Sequence, residues 1–359
     1  MAEGYRNLFD SNILKLFKTA ILMGWKQPGM IGFYARALWY QKEAAALRRK
    51  HYSEGLEVPP LLIISITSRC NLNCKGCYSK LLHGKVVEEM DAARFREILC
   101  EARDMGVSII MLAGGEPLIR KDLLAVAAEF PKAVFPIFTN STLLDDGYLD
   151  FFGRHPHLLP VISLEGYGHE TDNRRGDGVW AGFQALRPRL KERGICWGAS
   201  FTLTSEGFEL LLSEIFLRGF LTSGCRIFFF VEYVPVDEST LHLVLTAEQK
   251  RELEDRVERL TRRLPGLFIA FPGNEDQYGG CLAAGRGFLH INPAGYAEPC
   301  PFAPFTDSNV RETGLRAALQ SKLLAKVRQN HHLLTEGEGG CALWSNRKAV
   351  MELLSSSDQ

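Results

Sequence analysis

The chain has 359 residues, of which 46% are hydrophobic and 23% charged, and its formal charge is zero. At about 150 residues per domain this predicts roughly two domains, or one large α/β domain with an appendage, and a composition near the globular average excludes wholesale disorder. Balanced charge excludes a nucleic-acid binder working through a bulk positive field, and no apolar run reaches the ~18–20 residues of a membrane-spanning helix. The opening MAEGYRNLFD has no basic segment followed by an apolar core, so a cytosol is the expected compartment. Nine cysteines, an odd number, argue against a disulfide framework.

Residues 1–50 carry nine basic against three acidic residues, interleaved with Leu14, Phe17, Ile21, Leu22, Trp25, Phe33, Trp39 and Tyr40. An apolar helical stripe of this kind predicts a helical hairpin packed on the rest of the chain; peripheral contact with a membrane interface is the second reading. After residue 60, short apolar runs at 61–66, 107–112, 133–138, 159–164, 195–203 and 226–233 predict strands. None alternates cleanly with polar residues, as expected of strands covered on both faces of a parallel sheet. Helical patterns fill the gaps at 91–104, 121–130, 143–152, 178–193 and 206–221, with Asp91 as an N-cap, Gly106 as a stop and a kink expected at Pro188. Six strands with crossover helices predict an α/β fold, a partial (β/α)6 TIM-like barrel. A charged amphipathic helix at 246–264 follows, capped by Thr246, and then a Gly- and Pro-rich stretch. The expected division is 1–58, an N-terminal helical segment; 59–265, the barrel; and 266–359, a small cysteine-containing extension whose last residues fray.

Three thiols stand together in LLIISITSRCNLNCKGCYSK, where Cys70, Cys74 and Cys77 follow directly on a predicted strand. In an α/β barrel the chemistry sits where strands hand over to loops. Structural zinc wants four ligands; only three are at hand, and a lone loop residue such as His83 is expected to be solvated. Three thiolates suit a [4Fe–4S] cluster with one iron left open to a chelating ligand.

This CxxxCxxC loop with its following Tyr78 resembles the radical S-adenosylmethionine (SAM) superfamily. The resemblance extends in order over roughly residues 60–235. Gly114-Gly115-Glu116-Pro117 follows the second strand, where glycines allow close backbone approach to a ligand and the Glu116 region can accept from an ammonium group. Thr139-Asn140-Ser141 is similar to a TNG-type strand ending, and Ser163-Leu164-Glu165-Gly166 departs from a Ser-x-Asp-Gly pattern by one methylene. Asp172-x2-Arg175-Gly176 resembles a D-x-x-R-G stretch. The resemblance implies a [4Fe–4S] cluster on Cys70, Cys74 and Cys77. It implies SAM contacts at Tyr78, Gly114, Gly115, Glu116, Pro117, Asn140, Ser163, Glu165 and Arg175, the guanidinium pairing with the SAM carboxylate.

Downstream, Cys281-x13-Gly295-x4-Cys300 and Cys341 resemble the opening of a twitch or SPASM extension. That implies one auxiliary Fe–S cluster with its fourth ligand open to water, substrate, Cys225 or a non-thiol side chain. Asn292-Pro293-Ala294-Gly295 predicts a hairpin turn, Cys100 and Cys196 read as core, and Glu275 and Asp276 read as loop caps or general bases. The implied activity is reductive cleavage of SAM to a 5′-deoxyadenosyl radical that abstracts hydrogen from a substrate, fed by a flavodoxin- or ferredoxin-type donor. Peptide or protein maturation and an apolar lipid- or isoprenoid-like substrate both fit, the latter with Phe228, Phe230 and Tyr233 lining the barrel; tetrapyrroles and small metabolites are other substrates that the resemblance implies. A non-enzymatic iron–sulfur or zinc scaffold is the alternative.

Overall fold

Seven consecutive buried side chains, Leu61–Thr67, form β1, and a run buried on both faces needs neighbours on both edges and cover above and below. In the computed structural model, which describes residues 2–24, 31–83, 88–273, 275–334 and 341–355, β1 has both. It pairs in parallel with β2 (Ile109–Gly114) on one side and with β8 (Phe288–Ile291) on the other, Leu61 opposing Ile109 and Phe288. β3 (Phe135–Thr139), β4 (Leu158–Leu164), β5 (Trp197–Leu203), β6 (Cys225–Glu232) and β7 (Leu267–Phe271) continue the sheet. The order is β7-β6-β5-β4-β3-β2-β1-β8-β9, parallel except where β9 (Ala297–Glu298) returns antiparallel to β8. The α/β architecture is present, and the sheet is curved around an interior but not closed.

The expected boundary near residue 265 falls within this sheet. β7 extends one edge and β8 the other, so the C-terminal segment is part of the layer as well as an appendage to it. Five residues of LFIAF and four of FLHI are too short to give a periodic signal of their own.

The N-terminal residues form two helices, α1 (Ala2–Gly24) and α2 (Ile31–Ser53), which bury Ile13, Ala20, Phe33, Tyr34, Ala37 and Ala45 and expose Lys15, Lys18 and Arg36. Trp25 and Lys26 lie outside the described residues. No helix among the described residues is long and apolar enough to cross a membrane. Short α3 (Tyr78–His83) follows the thiol loop. α4 (Ala92–Met105) buries Phe95, Ile98, Leu99, Ala102 and Met105, the spacing of one helical face, and Asp91 caps it by accepting from Arg94 N. α5 (Lys121–Ala128), α6 (Asp146–Arg154), α7 (Gly168–Arg175) and α8 (Val179–Glu192) complete the crossovers as far as β5. α8 continues through Pro188, which lies inside it. The predicted helix at 206–221 is two, α9 (Phe208–Leu211) and α10 (Glu214–Leu221), because Ser213 is extended and caps the second. α11 (Ala247–Arg263) starts with a capping box between Thr246 and Gln249. α12 (Val310–Leu319), α13 (Lys322–Gln329), α14 (Ala342–Ser345) and α15 (Arg347–Ser355) end the described chain.

The hairpin and the sheet meet at Gly106. Arg48 donates to Gly106 O at 2.5 Å and pairs with Asp10. Gly106 has φ +92, and a Cβ there would lie 2.5 Å from Ala44 O. Gly55 has φ +83 but open space around it. In urea unfolding, Gly55→Ala should cost only the left-handed backbone term of about 1 kcal/mol, whereas Gly106→Ala should add an overpacking term of about 1–3 kcal/mol.

Candidate functional site

A parallel sheet delivers the C-terminal ends of β1 to β7 to one rim, and the loop 68–77 lies across it. No residue of that loop is buried, so it is held by its neighbours. Glu89 accepts from Thr67 Oγ1 at 2.7 Å and Ser68 N at 2.8 Å and pairs with Arg120 at 3.2 Å. Burial pushes the Glu89 carboxyl up, but those hydrogen bonds and the charges of Arg69 and Arg120 outweigh it and hold it below its ordinary value. Gly115 N donates to Thr67 O at 2.7 Å and Glu116 N to Arg69 O at 2.9 Å. A Cβ on Gly114 would lie 2.3 Å from Thr67 O, and one on Gly115 2.1 Å from Arg69 O. The two glycines therefore admit the backbone of the thiol loop, where the sequence had pointed to a ligand.

Glu116 is buried and saturated. Its carboxylate accepts from Thr139 Oγ1 at 2.7 Å, Asn140 N at 2.8 Å and Leu118 N at 3.1 Å. Burial raises its pKa against these donors. It thus ties the end of β2 to the end of β3 while also lining the cavity described below. Asn140 in turn donates to Asn71 Oδ1 at 2.9 Å, and Asn71 donates to Thr142 Oγ1 at 2.7 Å. Ser141 takes φ +67, the left-handed region, where the TNG pattern has glycine.

The other flank is held by α7. Lys75 N donates to Arg174 O at 2.9 Å, and Arg174 Nε returns to Lys75 O at 3.2 Å. Buried Glu165 pairs with Arg174 at 2.7 Å and Arg175 at 2.6 Å. Burial works to raise the Glu165 carboxyl, and the two guanidiniums overcome it and hold it below its ordinary value. Arg174 has no place in the D-x-x-R-G reading; its doubled neighbour Arg175 was the only signal for it. Arg175 Nε is buried without a hydrogen-bond partner among the described residues.

These contacts surround a cavity of about 230 Å³ lined by all three thiols and by Tyr78, Gly114, Gly115, Glu116, Asn140, Ser163, Arg174 and Arg175. Pro117 and Glu165 do not line it. Pro117 is buried at the start of a short 3-10 turn, and Glu165 stands behind the arginines. Burial pushes the Cys70 and Cys74 thiols up, opposed at Cys74 by Arg175 and Arg174. β6 turns Phe229 and Val231 inward. Phe228 and Phe230 instead pack outward, stacked on Phe268 at 4.9 Å and Phe201 at 6.1 Å. Tyr233 does reach the cavity.

The second thiol set also comes together. Cys281, Cys300 and Cys341 are all buried. Burial pushes Cys281 and Cys300 up, and the Cys300 thiol donating to Cys341 holds Cys341 down. Glu275 accepts from Leu282 N at 3.2 Å and faces the Cys281 thiol; the Asp276 side chain lies outside the described residues. Cys225 is elsewhere, buried at the start of β6 beside Cys196. None of the nine cysteines is in a disulfide. The Asn292–Gly295 turn forms, with Ala294 N on Asn292 Oδ1 at 3.0 Å and Gly295 at φ +89.

A polar brace joins the two sets. His290 contacts Glu298 at 2.7 Å and Ser65 at 2.9 Å, while Asn292 donates to Glu298 at 2.8 Å. His83, expected in solvent, is instead tucked against Pro301 O at 2.9 Å, and burial depresses its pKa. The Tyr78 ring lies 4.5 Å from that of Phe302.

Removing the Glu165 charge isolates the clamp. Glu165→Gln leaves two buried guanidiniums uncompensated and should cost about 3–5 kcal/mol in urea unfolding at pH 7. Because the folded carboxyl titrates below the ordinary glutamate value of 4.5, its contribution is complete above that pH and disappears as the pH falls through the lowered value. The gap between wild type and variant should therefore close in acid.

Three comparisons bear on this geometry. The Radical SAM superfamily model matches residues 64–203. The chain is 36% identical over 183 residues to the pre-heme d1 synthase of Dinoroseobacter shibae, covering 47% of this chain and 45% of that one, so the match spans less than half of that relative. It is 25% identical over 321 residues to the AdoMet-dependent heme synthase of Methanosarcina barkeri, covering 81% of this chain and 89% of that one. In fold it is similar to Streptococcus suis SuiB, whose crystal structure is bound to S-adenosylmethionine, with a TM-score of 0.64, 21% identity, and coverage of 88% of this chain and 78% of that one. The thiol loop and the glycine pair both lie within residues 64–203, the stretch that this family model matches.

Proposed function

We propose that this chain reductively cleaves S-adenosylmethionine at the rim cavity and directs the resulting radical at a substrate C–H bond. The observation that supports this reading is the convergence, on one cavity, of three undisulfided thiols and the Arg175 guanidinium group. The donor set fits the group: three thiolates leave one iron of a [4Fe–4S] cluster open, and a guanidinium on the same wall suits a carboxylate. When bound, the cluster supplies one electron to SAM, whose S–C5′ bond breaks to give methionine and a 5′-deoxyadenosyl radical that takes a hydrogen atom from the substrate.

The protein's part is positioning and exclusion. Cys70, Cys74 and Cys77 would hold the cluster. Arg175 would hold the SAM carboxylate while Glu165 fixes its orientation, and Asn140 and Ser163 offer hydrogen-bonding groups on the same wall. Glu116 takes no direct contact in this reading; it sets where Asn140 stands. Tyr78 and Phe302 wall one side of the cavity against water. Cys281, Cys300 and Cys341 would hold an auxiliary cluster, and Glu275 is a non-thiol side chain placed beside Cys281. The electron would come from a flavodoxin- or ferredoxin-type donor.

Anaerobic reconstitution tests both clusters. The wild-type chain should carry about eight iron atoms, two cubes of four, and should form 5′-deoxyadenosine from SAM and dithionite. Cys74→Ala should lower the iron to about four and abolish 5′-deoxyadenosine, whereas Cys300→Ala should lower the iron while keeping the SAM-dependent change in the electron-spin spectrum of the first cluster. A wild-type chain that binds iron or zinc yet never yields 5′-deoxyadenosine is a scaffold and defeats the reading.

A further inference from the structure

Below the rim cavity the barrel interior is not filled. An α/β barrel normally closes its middle with layers of inward side chains. Here a second cavity of about 290 Å³ lies between the sheet and the N-terminal hairpin. Its ceiling is built from Leu61, Ile109, Pro136, Leu159, Ile227 and Leu267, one inward residue from each of six strands. Its floor is Ile13, Phe17 and Ala20 of α1 with Phe33 and Tyr34 of α2. Part of this floor forms a hydrophobic cluster separate from the main core, made of Ala20, Phe33, Tyr34, Ala37, Val134, Leu159 and Cys196.

The lining decides the chemistry of an occupant. Among the described residues Glu275 is the one charged side chain that lines the chamber, so they offer no cation to a carboxylate or a phosphate. The Tyr34 hydroxyl is engaged with Cys196 Sγ at 3.2 Å, Asn12 donates to Tyr278 Oη at 2.7 Å, and Glu275 accepts from Leu282 N. Apolar cavities in proteins take up apolar molecules. The chamber is also elongated: Leu267 to Phe271 along β7 is four residue steps, ~13 Å, and both ends of that strand line it.

Three side chains, Met111, Phe229 and Phe271, line both this chamber and the thiol cavity. They are the partition between the two. Phe229 leans edge-on to Phe138 at 5.2 Å and Phe271 lies 5.4 Å from Phe288. Met111, unbranched and adaptable, is the member best able to give way. On the two floor helices Lys15 and Lys18 of α1 and Arg36 of α2 are exposed, basic groups of the charge that an anionic head group would meet.

We propose that the substrate carries an apolar chain, alkyl or isoprenoid, that occupies this lower chamber and presents its far end through the Met111–Phe229–Phe271 partition to the thiol cavity. This names the substrate class for the radical reading above and rests on that reading for its chemistry; the binding itself does not depend on the clusters.

The test is a titration of the full chain with cis-parinaric acid, a polyene fatty acid whose emission rises in apolar surroundings. Saturable binding at one site per chain is expected, displaced by hexadecanol if the natural chain is linear and more strongly by farnesol if it is isoprenoid. Leu159→Trp and Ala20→Phe, which fill the chamber from opposite sides, should each weaken binding by about tenfold or more, a loss of about 1.4 kcal/mol, while Leu159→Ile binds as wild type and shows that the site, not the fold, was changed. Absence of saturable binding, indifference to both filling substitutions, or displacement by a charged peptide but by neither alcohol overturns the proposal. The wild-type yield of 5′-deoxyadenosine is scored separately. A chain that forms it but does not bind the probe defeats the chamber alone, and a chain that binds the probe but never forms it defeats the radical reading alone.

Discussion

The loop bearing Cys70, Cys74 and Cys77 buries none of its own residues, so its shape is imposed by what grips it from three sides. Thr67 and Ser68 are held through Glu89, Thr67 and Arg69 through the backbone of Gly115 and Glu116, and Lys75 through Arg174. Gly115 and Glu116 follow the C-terminal end of β2, Arg174 is on α7, and Glu89 lies in the loop ahead of α4. A cluster site without a core of its own can be precise only if those elements are fixed to one another first. The buried carboxylates of Glu116 and Glu165 do this, one between β2 and β3 and the other beneath α7. Through these bonds the cavity wall takes a defined position.

The same logic extends to the second thiol set. Cys300 follows two residues after Glu298, and Glu298 is held by His290 on the strand that pairs with β1. The brace through Ser65, His290 and Glu298, with His83 against Pro301, therefore fixes the distance between the two sets through buried hydrogen bonds instead of through a shared loop. Polar networks of this kind are rigid when every member is satisfied.

Much of this was legible in the residues. Apolar runs located β1 to β6 because a strand covered on both faces is continuous in hydrophobicity, and the cysteine spacing marked the rim. The same continuity hid which residues face inward: FFF at 228–230 has no alternation to read, and Phe229, not its neighbours, points into the interior. Glu116 and Gly115 do line the thiol cavity, but their protein partners Thr139, Asn140 and Arg69 are remote in sequence and no local motif shows them. Strands β7 and β8 escaped because a four- or five-residue apolar run becomes a strand only when an existing edge receives it.

That last point bears on how the chain reaches its native form. β1 is among the first strands to leave the ribosome, yet the partner on one of its edges, Phe288–Ile291, is synthesised more than two hundred residues later. Until then a predominantly apolar strand waits with one row of amide and carbonyl groups unpaired, the feature most prone to recruiting the wrong neighbour. Assembly of the sheet is thus tied to translation of the segment that also carries Cys281, which precedes β8, so β1 is not sealed on that edge before the first of the second set of thiols has been made.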